Sequence, residues 1–247
     1  MEIRNVVLLS HQGAGKTSVA ESMLFTSGVI ERSGNVESGT TTSDYEPLEV
    51  EHQMSINLSL LPQEWKGVKL NLIDTPGYAD FISELKSGLR VSEGAIIVVC
   101  AASSVEVGTE QVWGDAEKMN LPRLVFVNKM DRDNADFSHT LEEIQAKLSP
   151  RCLPVQLPIG SQKDFKGIID LVAMKGYAGS ALQEMELPST LSEQVVFHRE
   201  KLIEAAVEID DELISKYLEG EAISNEEISE AIKKSTIAGK LVPVFVG

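Results

Sequence analysis

Apolar positions in the first 150 residues form short continuous runs separated by amphipathic stretches. Val6, Val7, Leu8 and Leu9 make a run of the kind found in strands buried on both faces. Glycines follow, then Val19, Ala20, Met23 and Leu24 at helical spacing. Thr26 to Val50 is polar and aperiodic, which predicts a long loop; loops of that length are uncommon unless functional. Ile56, Leu58 and Leu60 alternate with polar residues, as on the inner face of an edge strand. Trp65, Lys66 and Gly67 read as a hairpin turn into a strand carrying Val68, Leu70, Leu72 and Ile73. Helices are predicted over Asp80–Val91, Thr109–Met119 and Phe137–Leu148, and strands over Ala95–Ala101 and Leu124–Val127. The alternation implies right-handed crossovers and an α/β fold, with a mostly parallel sheet covered by helices.

After Pro150 the pattern changes. Val155, Leu157 and Ile159 alternate, and Phe165 to Ile169 is expected to join them in a small sheet. Acidic helices follow. Thr190 with Glu193, and Ser224 with Glu227, have the spacing of capping boxes. Gly220 and Gly239 stand where helix C-caps belong. Leu241 to Val246 has the composition of a core strand, and the stop at Gly247 just after it reads as a fragment boundary.

Charge sharpens this division. The 247-residue chain has a net charge of −16, and Glu184 to Glu230 holds fourteen Asp and Glu against three Lys and Arg. That shift marks a separate subdomain and argues against a broad basic face gripping nucleic acid. No apolar stretch is long enough to span a membrane, and the start leaves no room for a signal peptide. Cys100 and Cys152, both in apolar contexts, read as reduced core thiols of a cytoplasmic protein.

The chemistry lies in three motifs, each at the end of a predicted strand. Ser10, His11, Gln12, Gly13, Ala14, Gly15, Lys16, Thr17 and Ser18 form a phosphate loop running into a helix. Gly13 and Gly15 let successive amides point at phosphate oxygens, and the helix N-terminus adds its dipole. Lys16 would bridge the β- and γ-phosphates, and Thr17 would bind Mg²⁺. Asp74, followed by Thr75, Pro76 and Gly77, sits at a strand's carboxyl end, where it would hold Mg²⁺ while the Gly77 amide meets a γ-phosphate. Asn128, Lys129, Met130 and Asp131 select the base: Asp131 accepts from both donors on the guanine edge, a pair adenine lacks. Asn128 would contact the base edge or the phosphate loop, and the Lys129 stem would cover the ring.

With these residues in place the chain resembles the translational GTPases, and among them the elongation factor G family. His11 and Ala14 to Thr17 match the family's Ala-His-x-Asp-Ala-Gly-Lys-Thr loop; Asp74 to Gly77, Asp80, Phe81 and Leu89 to Val91 match the block around its third motif; Asn128 to Arg132 matches the fourth. Leu157 to Gly160, Phe165 to Gly167, Ile169 to Leu171, Met174 and Lys175 look like the start of the family's G′ insertion. Asp211 to Leu213 and Lys216 to Gly220 look like its helical part. The resemblance implies a GTP-binding G domain over 1–152, a G′ α+β subdomain over 153–239, and a return strand of the G domain over 240–247.

It further implies Mg²⁺-dependent hydrolysis of GTP to GDP, slow without the ribosome, in a monomer with no membrane association. The ribosome is the expected partner, through its factor site and a stalk protein meeting G′, with RNA contacts left mainly to further domains beyond Gly247. Lys16, Ser55, Gly77 and Tyr78 are the expected catalytic group, and Thr17, Ser55 and Asp74 the metal ligands. A release-factor-3-like GTPase and a GTP-binding switch with negligible hydrolysis are the alternatives.

The departures from the family are specific. Gly13 stands where the family has Asp. His52 to Ile56 aligns with Arg-Gly-Ile-Thr-Ile, so that Ser55 keeps a hydroxyl without the methyl. Tyr78 replaces the His that positions the attacking water. Thr26 to Ser55 is expected to be mobile without a γ-phosphate, with Ser55 on Mg²⁺ its one strong tether.

Overall fold

A computed structural model describes residues 1–179 and 183–247. The chain divides into two compact units, residues 1–99 with 106–121 and residues 100–105 with 122–247.

In the first unit, β1 (Glu2–Leu9) runs parallel to both β3 (Val68–Asp74) and β4 (Gly94–Cys100), and β2 (Ser59–Trp65) pairs antiparallel with β3 at the edge. Val7, Leu8, Leu9, Leu72, Ile97, Val98 and Val99 are fully buried, as expected for parallel strands covered on both faces. Helices α1 (Lys16–Thr26), α3 (Ile82–Val91) and α4 (Val107–Lys118) flank the strands, with a short helix α2 (Pro47–His52) between α1 and β2. Gly88 of α3 lets that helix come close to β3: a Cβ there would lie 3.0 Å from Thr75 Cγ2 and 3.3 Å from Ile73 Cγ2.

Strand β2 corrects one expectation. It begins at Ser59, with Leu61 and Gln63 inward and Leu60 outward. The hairpin turn sets this parity. Lys66 and Gly67 both take positive φ (47° and 82°), a two-residue turn that pairs Trp65 with Val68 and so Leu61 with Leu72. With the register fixed from the turn, a one-residue difference reverses every side chain.

The Thr26–Val50 stretch is also more structured than its composition implies. Pro47 opens α2, and the Glu49 carboxylate reaches back to accept from the Glu46 N–H at 3.1 Å. Glu is a poor N-cap by type, which is why local preference gives no signal here.

In the second unit, β5 (Arg123–Asn128), β11 (Val242–Val246) and β6 (Cys152–Pro154) run parallel in that order. An antiparallel sheet follows the order β10 (Gln183–Met185), β9 (Lys175–Ala178), β8 (Gly167–Asp170), β7 (Gln156–Ile159). The expected small sheet forms, with Leu157 paired to Ile169. Helices α5 (Phe137–Lys147), α6 (Ser192–Val207), α7 (Asp211–Leu218) and α8 (Asn225–Ile237) complete the unit.

Ser224 caps α8 as expected, accepting from the Glu227 N–H while Glu227 accepts from the Ser224 N–H. The box expected at Thr190 does not form. Pro188 starts a 3-10 turn over Ser189–Leu191, and α6 begins at Ser192 with no side-chain cap. Gly220 and Gly239 follow α7 and α8 at φ +72° and +67°, the left-handed residues that end helices. Cys100 and Cys152 are buried and unpaired with each other. Among the described residues no helix is long and apolar enough to cross a membrane.

Candidate functional site

The loop between β1 and α1 is shaped by two left-handed glycines, Gly13 (φ 77°) and Gly15 (φ 95°). Gly15 is the N-cap of α1 and supplies no side-chain cap, so the dipole of an 11-residue helix meets the loop at its first turn. Ala14 is buried, and Ser18 is exposed on that turn. Lys16 folds back over the loop: its Nζ donates to Ser10 Oγ at 2.9 Å, and Ser10 Oγ donates to the His11 carbonyl at 2.6 Å. The Lys16 residue is 7% exposed. Burial pulls its pKa down, opposed by the charges of Asp74 and Asp44.

A cluster of oxygen atoms lies beside it. Thr17 Oγ1 donates to Asp74 Oδ2 at 2.8 Å and lies 3.3 Å from Ser55 Oγ, which donates to Asp44 Oδ1 at 2.7 Å. Asp74 is 1% exposed, and its Oδ1 has no hydrogen-bond partner among the described residues. Burial pushes its pKa up to about 6, against the pull of Lys16 and the Thr17 hydroxyl. A buried carboxylate with one oxygen bonded to the Thr17 hydroxyl and the other unpartnered, with Ser55 Oγ 3.3 Å beyond Thr17, is a set of hard oxygen donors suited to a cation. Thr17, Ser55 and Asp74 therefore fit Mg²⁺.

Asp44 is the residue that sequence reasoning missed. Its carboxyl pKa is raised, first by burial and then by Glu49 and Glu21, and the bond from Ser55 works against this rise. Nothing local marks it; it belongs to the site because the loop folds back on α1.

Two other buried carboxylates hold that loop. Glu21 accepts from the Gly34 and Thr42 amides, and Glu49 from the Ile56 and Asn57 amides. The segment therefore has several built-in tethers rather than Ser55 alone.

Gly77 is in tight contact with the phosphate loop. A Cβ there would lie 2.8 Å from Lys16 Nζ and 3.0 Å from Gln12 Cα. Tyr78 follows, and its hydroxyl accepts from Gln12 Nε2 at 2.5 Å. His11 turns its ring away from the loop's open side: Nδ1 lies 3.0 Å from Thr109 Oγ1, and Nε2 lies 3.1 Å from Glu106. Gly108 permits this, since a Cβ there would be 3.0 Å from His11 Cβ. As a nucleotide ligand His11 thus has its backbone to offer, and its imidazole fastens the loop to α4.

The first unit thus brings together Ser10 to Ser18, Ser55, Asp74, Gly77 and Tyr78. Asn128, Lys129 and Asp131 lie in the second unit, on a loop pinned by the buried Met130. The Met130 N–H donates to the Gly247 carbonyl at 3.3 Å and its carbonyl accepts from the Gln162 N–H at 2.7 Å. Ala101 N–H holds the Asn128 carbonyl at 2.8 Å. Lys129 takes φ 67°, and the loop turns there so that Asp131 is exposed. Its carboxylate is thus not a buried charge.

Residues 1–245 match the model of a family described as the elongation factor Tu GTP binding domain. The chain belongs to that family. Elongation factor G of Thermotoga petrophila is 43% identical over 251 aligned positions, covering 100% of this chain and 36% of that protein. The Thermotoga neapolitana elongation factor G is 42% identical with the same coverage. A crystal structure from Thermus thermophilus superposes with a TM-score of 0.93 at 37% identity, over 100% of this chain and 37% of its own. The chain thus spans 36% of the length of the curated relatives it matches. The phosphate loop, Asp74 and the Asn128–Asp131 loop all fall within the residues shared with this GTP-binding family.

Proposed function

We propose that this chain is the GTP-binding and GTP-hydrolysing domain of an elongation-factor-G-type translation factor. In this reading residues 1–152 and 240–247 form the G domain, and 153–239 the inserted G′ subdomain. The observation that carries it is the cluster at the start of α1. A buried ammonium rests on Ser10, the buried Asp74 carboxylate bonds Thr17 through one oxygen and leaves the other unpartnered, and the helix N-terminus has no side-chain cap. Such a site is complete only with a polyanion and a divalent cation.

The division of labour follows from residue chemistry. Lys16 swings from Ser10 Oγ to the β- and γ-phosphate oxygens, and the first-turn amides of α1 receive the rest of the charge. Thr17, Ser55 and Asp74 would hold Mg²⁺, which would withdraw charge from the phosphate oxygens. The Gly77 amide faces the γ-phosphate, and Tyr78 orients the attacking water. A phenol hydroxyl serves here by donating and accepting hydrogen bonds. The water oxygen bonds to the γ-phosphorus as the bond to the β–γ bridging oxygen breaks; the water's proton passes to a γ-phosphate oxygen, and GDP and inorganic phosphate leave. Asp131 recognises guanine, with Asn128 and Lys129 supporting the base.

Stabilisation supplied in trans is worth roughly 10³–10⁵ in rate in this chemistry, so turnover is slow without the ribosome. The place of action is the cytoplasm. The protein acts as a monomer, with the acidic α6–α8 surface meeting a ribosomal stalk protein.

The test has two parts. Calorimetry should show GDP binding far tighter than ADP, and phosphate release should rise with added ribosomes in the full-length protein. Equal affinity for the two nucleotides would defeat the assignment of Asp131. Absence of stimulated release would leave a binding switch.

A further inference from the structure

We propose that Gln12 is a positioning residue for hydrolysis, acting through Tyr78; the proposal rests on the reading of this site as a GTPase. The two backbones are locked together before their side chains meet. Gly77 lies so close to Gln12 that an added Cβ would come within 3.0 Å of its Cα and 3.2 Å of its N. From that contact both side chains project to the same edge, where Gln12 Nε2 donates to Tyr78 Oη at 2.5 Å. Both line a cavity of about 380 Å³ with Ser10, Pro76, Gly77 and Asp80.

The direction of the bond matters. A carboxamide NH₂ only donates, so the phenol oxygen accepts. That leaves the Tyr78 O–H free to donate and a second lone pair free to accept. A hydroxyl that works by orientation needs its own orientation set.

The neighbouring polar side chain on the loop is not available for this. The His11 imidazole is engaged by Thr109 and Glu106. Gln12 belongs to the phosphate loop itself, so it holds Tyr78 in the frame that also carries Lys16. Tyr78 then approaches the γ-phosphate as part of the loop rather than as a free arm.

The experiment compares Gln12→Met, Tyr78→Phe and the double variant in the full-length protein, with purified ribosomes, by single-turnover hydrolysis at saturating GTP. Gln12→Met keeps the side-chain length and removes both polar atoms. Each single variant should lower kcat about tenfold, and the double variant should fall no further than Tyr78→Phe. KM and GDP affinity should stay within about twofold, which a general loosening of the loop would not allow. With 3-fluorotyrosine at position 78, Gln12→Met should shift and sharpen the fluorine resonance.

Wild-type turnover in Gln12→Met beside a slow Tyr78→Phe overturns the role of Gln12 and leaves the GTPase reading standing. Multiplied losses in the double variant also overturn it, because Gln12 would then act elsewhere. Wild-type turnover in both singles overturns the role of Tyr78 as well. No stimulated hydrolysis in the parent protein is the separate failure of the GTPase reading.

Discussion

Gly77→Ala tests how tightly the third motif is pressed against the phosphate loop. The new Cβ would stand 2.8 Å from Lys16 Nζ, about 0.6 Å short of the 3.4 Å at which ordinary contact begins. Gln12 Cα at 3.0 Å and Gln12 N at 3.2 Å close the other side, and these are backbone atoms. The Lys16 ammonium can yield, since it leaves Ser10 Oγ for the phosphates in any case; the Gln12 backbone cannot, so the strain falls on the approach of Gly77 to Gln12.

A 1 Å misplacement of a catalytic group can cost on the order of 10²-fold. A shift of about 0.4 Å, set by Gln12 Cα, then predicts roughly a 6-fold loss in kcat, or about 1 kcal/mol. Ribosome-stimulated single-turnover hydrolysis measures this. The ratio of affinities for a GTP analogue and GDP checks its origin, because Gly77 faces the γ position and GTP should weaken more than GDP. Wild-type turnover with an unchanged ratio would refute the close approach and remove Gly77 from the γ-phosphate site.

Asp131→Asn should move the preference from guanine towards xanthine nucleotides, with GDP affinity falling by about two orders of magnitude, since bonds to a charged acceptor are worth ~1.5–3 kcal/mol; calorimetry with GDP and XDP decides it. Glu21→Ala leaves the Gly34 and Thr42 amides without their acceptor, at about 1–3 kcal/mol for each unsatisfied group. Amide exchange over residues 34–42 should accelerate far more than exchange in β1, and uniform acceleration would contradict a local tether.

Glu227 is held down at about 2 by the Lys216 ammonium and by the N–H and hydroxyl of Ser224. Its folded pKa lies below the unfolded value of ~4.3, so its contribution is complete above that value and fades as pH falls towards 2. Denaturant titrations from pH 6 to pH 2.5 should show this loss, and Glu227→Gln should flatten it.

Features written within a few residues of chain were legible from sequence. The two left-handed glycines of the phosphate loop, the hairpin turn at Lys66 and Gly67, and the Ser224–Glu227 box are all set by short fixed offsets. The alternation of buried strands with helices is likewise a local period, and it is enough to give an α/β fold. Partners far apart in the chain were not legible. Gln12 meets Tyr78 across 66 residues, and His11 meets Thr109 across 98. Asp44, Glu21 and Glu49 look like ordinary loop and surface acids in sequence; only folding of the loop onto α1 buries them among amides and hydroxyls. Thr190 shows the limit of local rules from the other side, since Pro188 turned the chain early and left a correctly spaced box unused. Sequence by itself marked the glycine-shaped loop, the turn after Asp74 and the Asn128–Asp131 loop as candidate nucleotide contacts, because backbone conformation and helix position are set along short stretches of chain. The tertiary structure alone decided which side chains hold those groups in place, because burial and long-range contact have no period along the sequence.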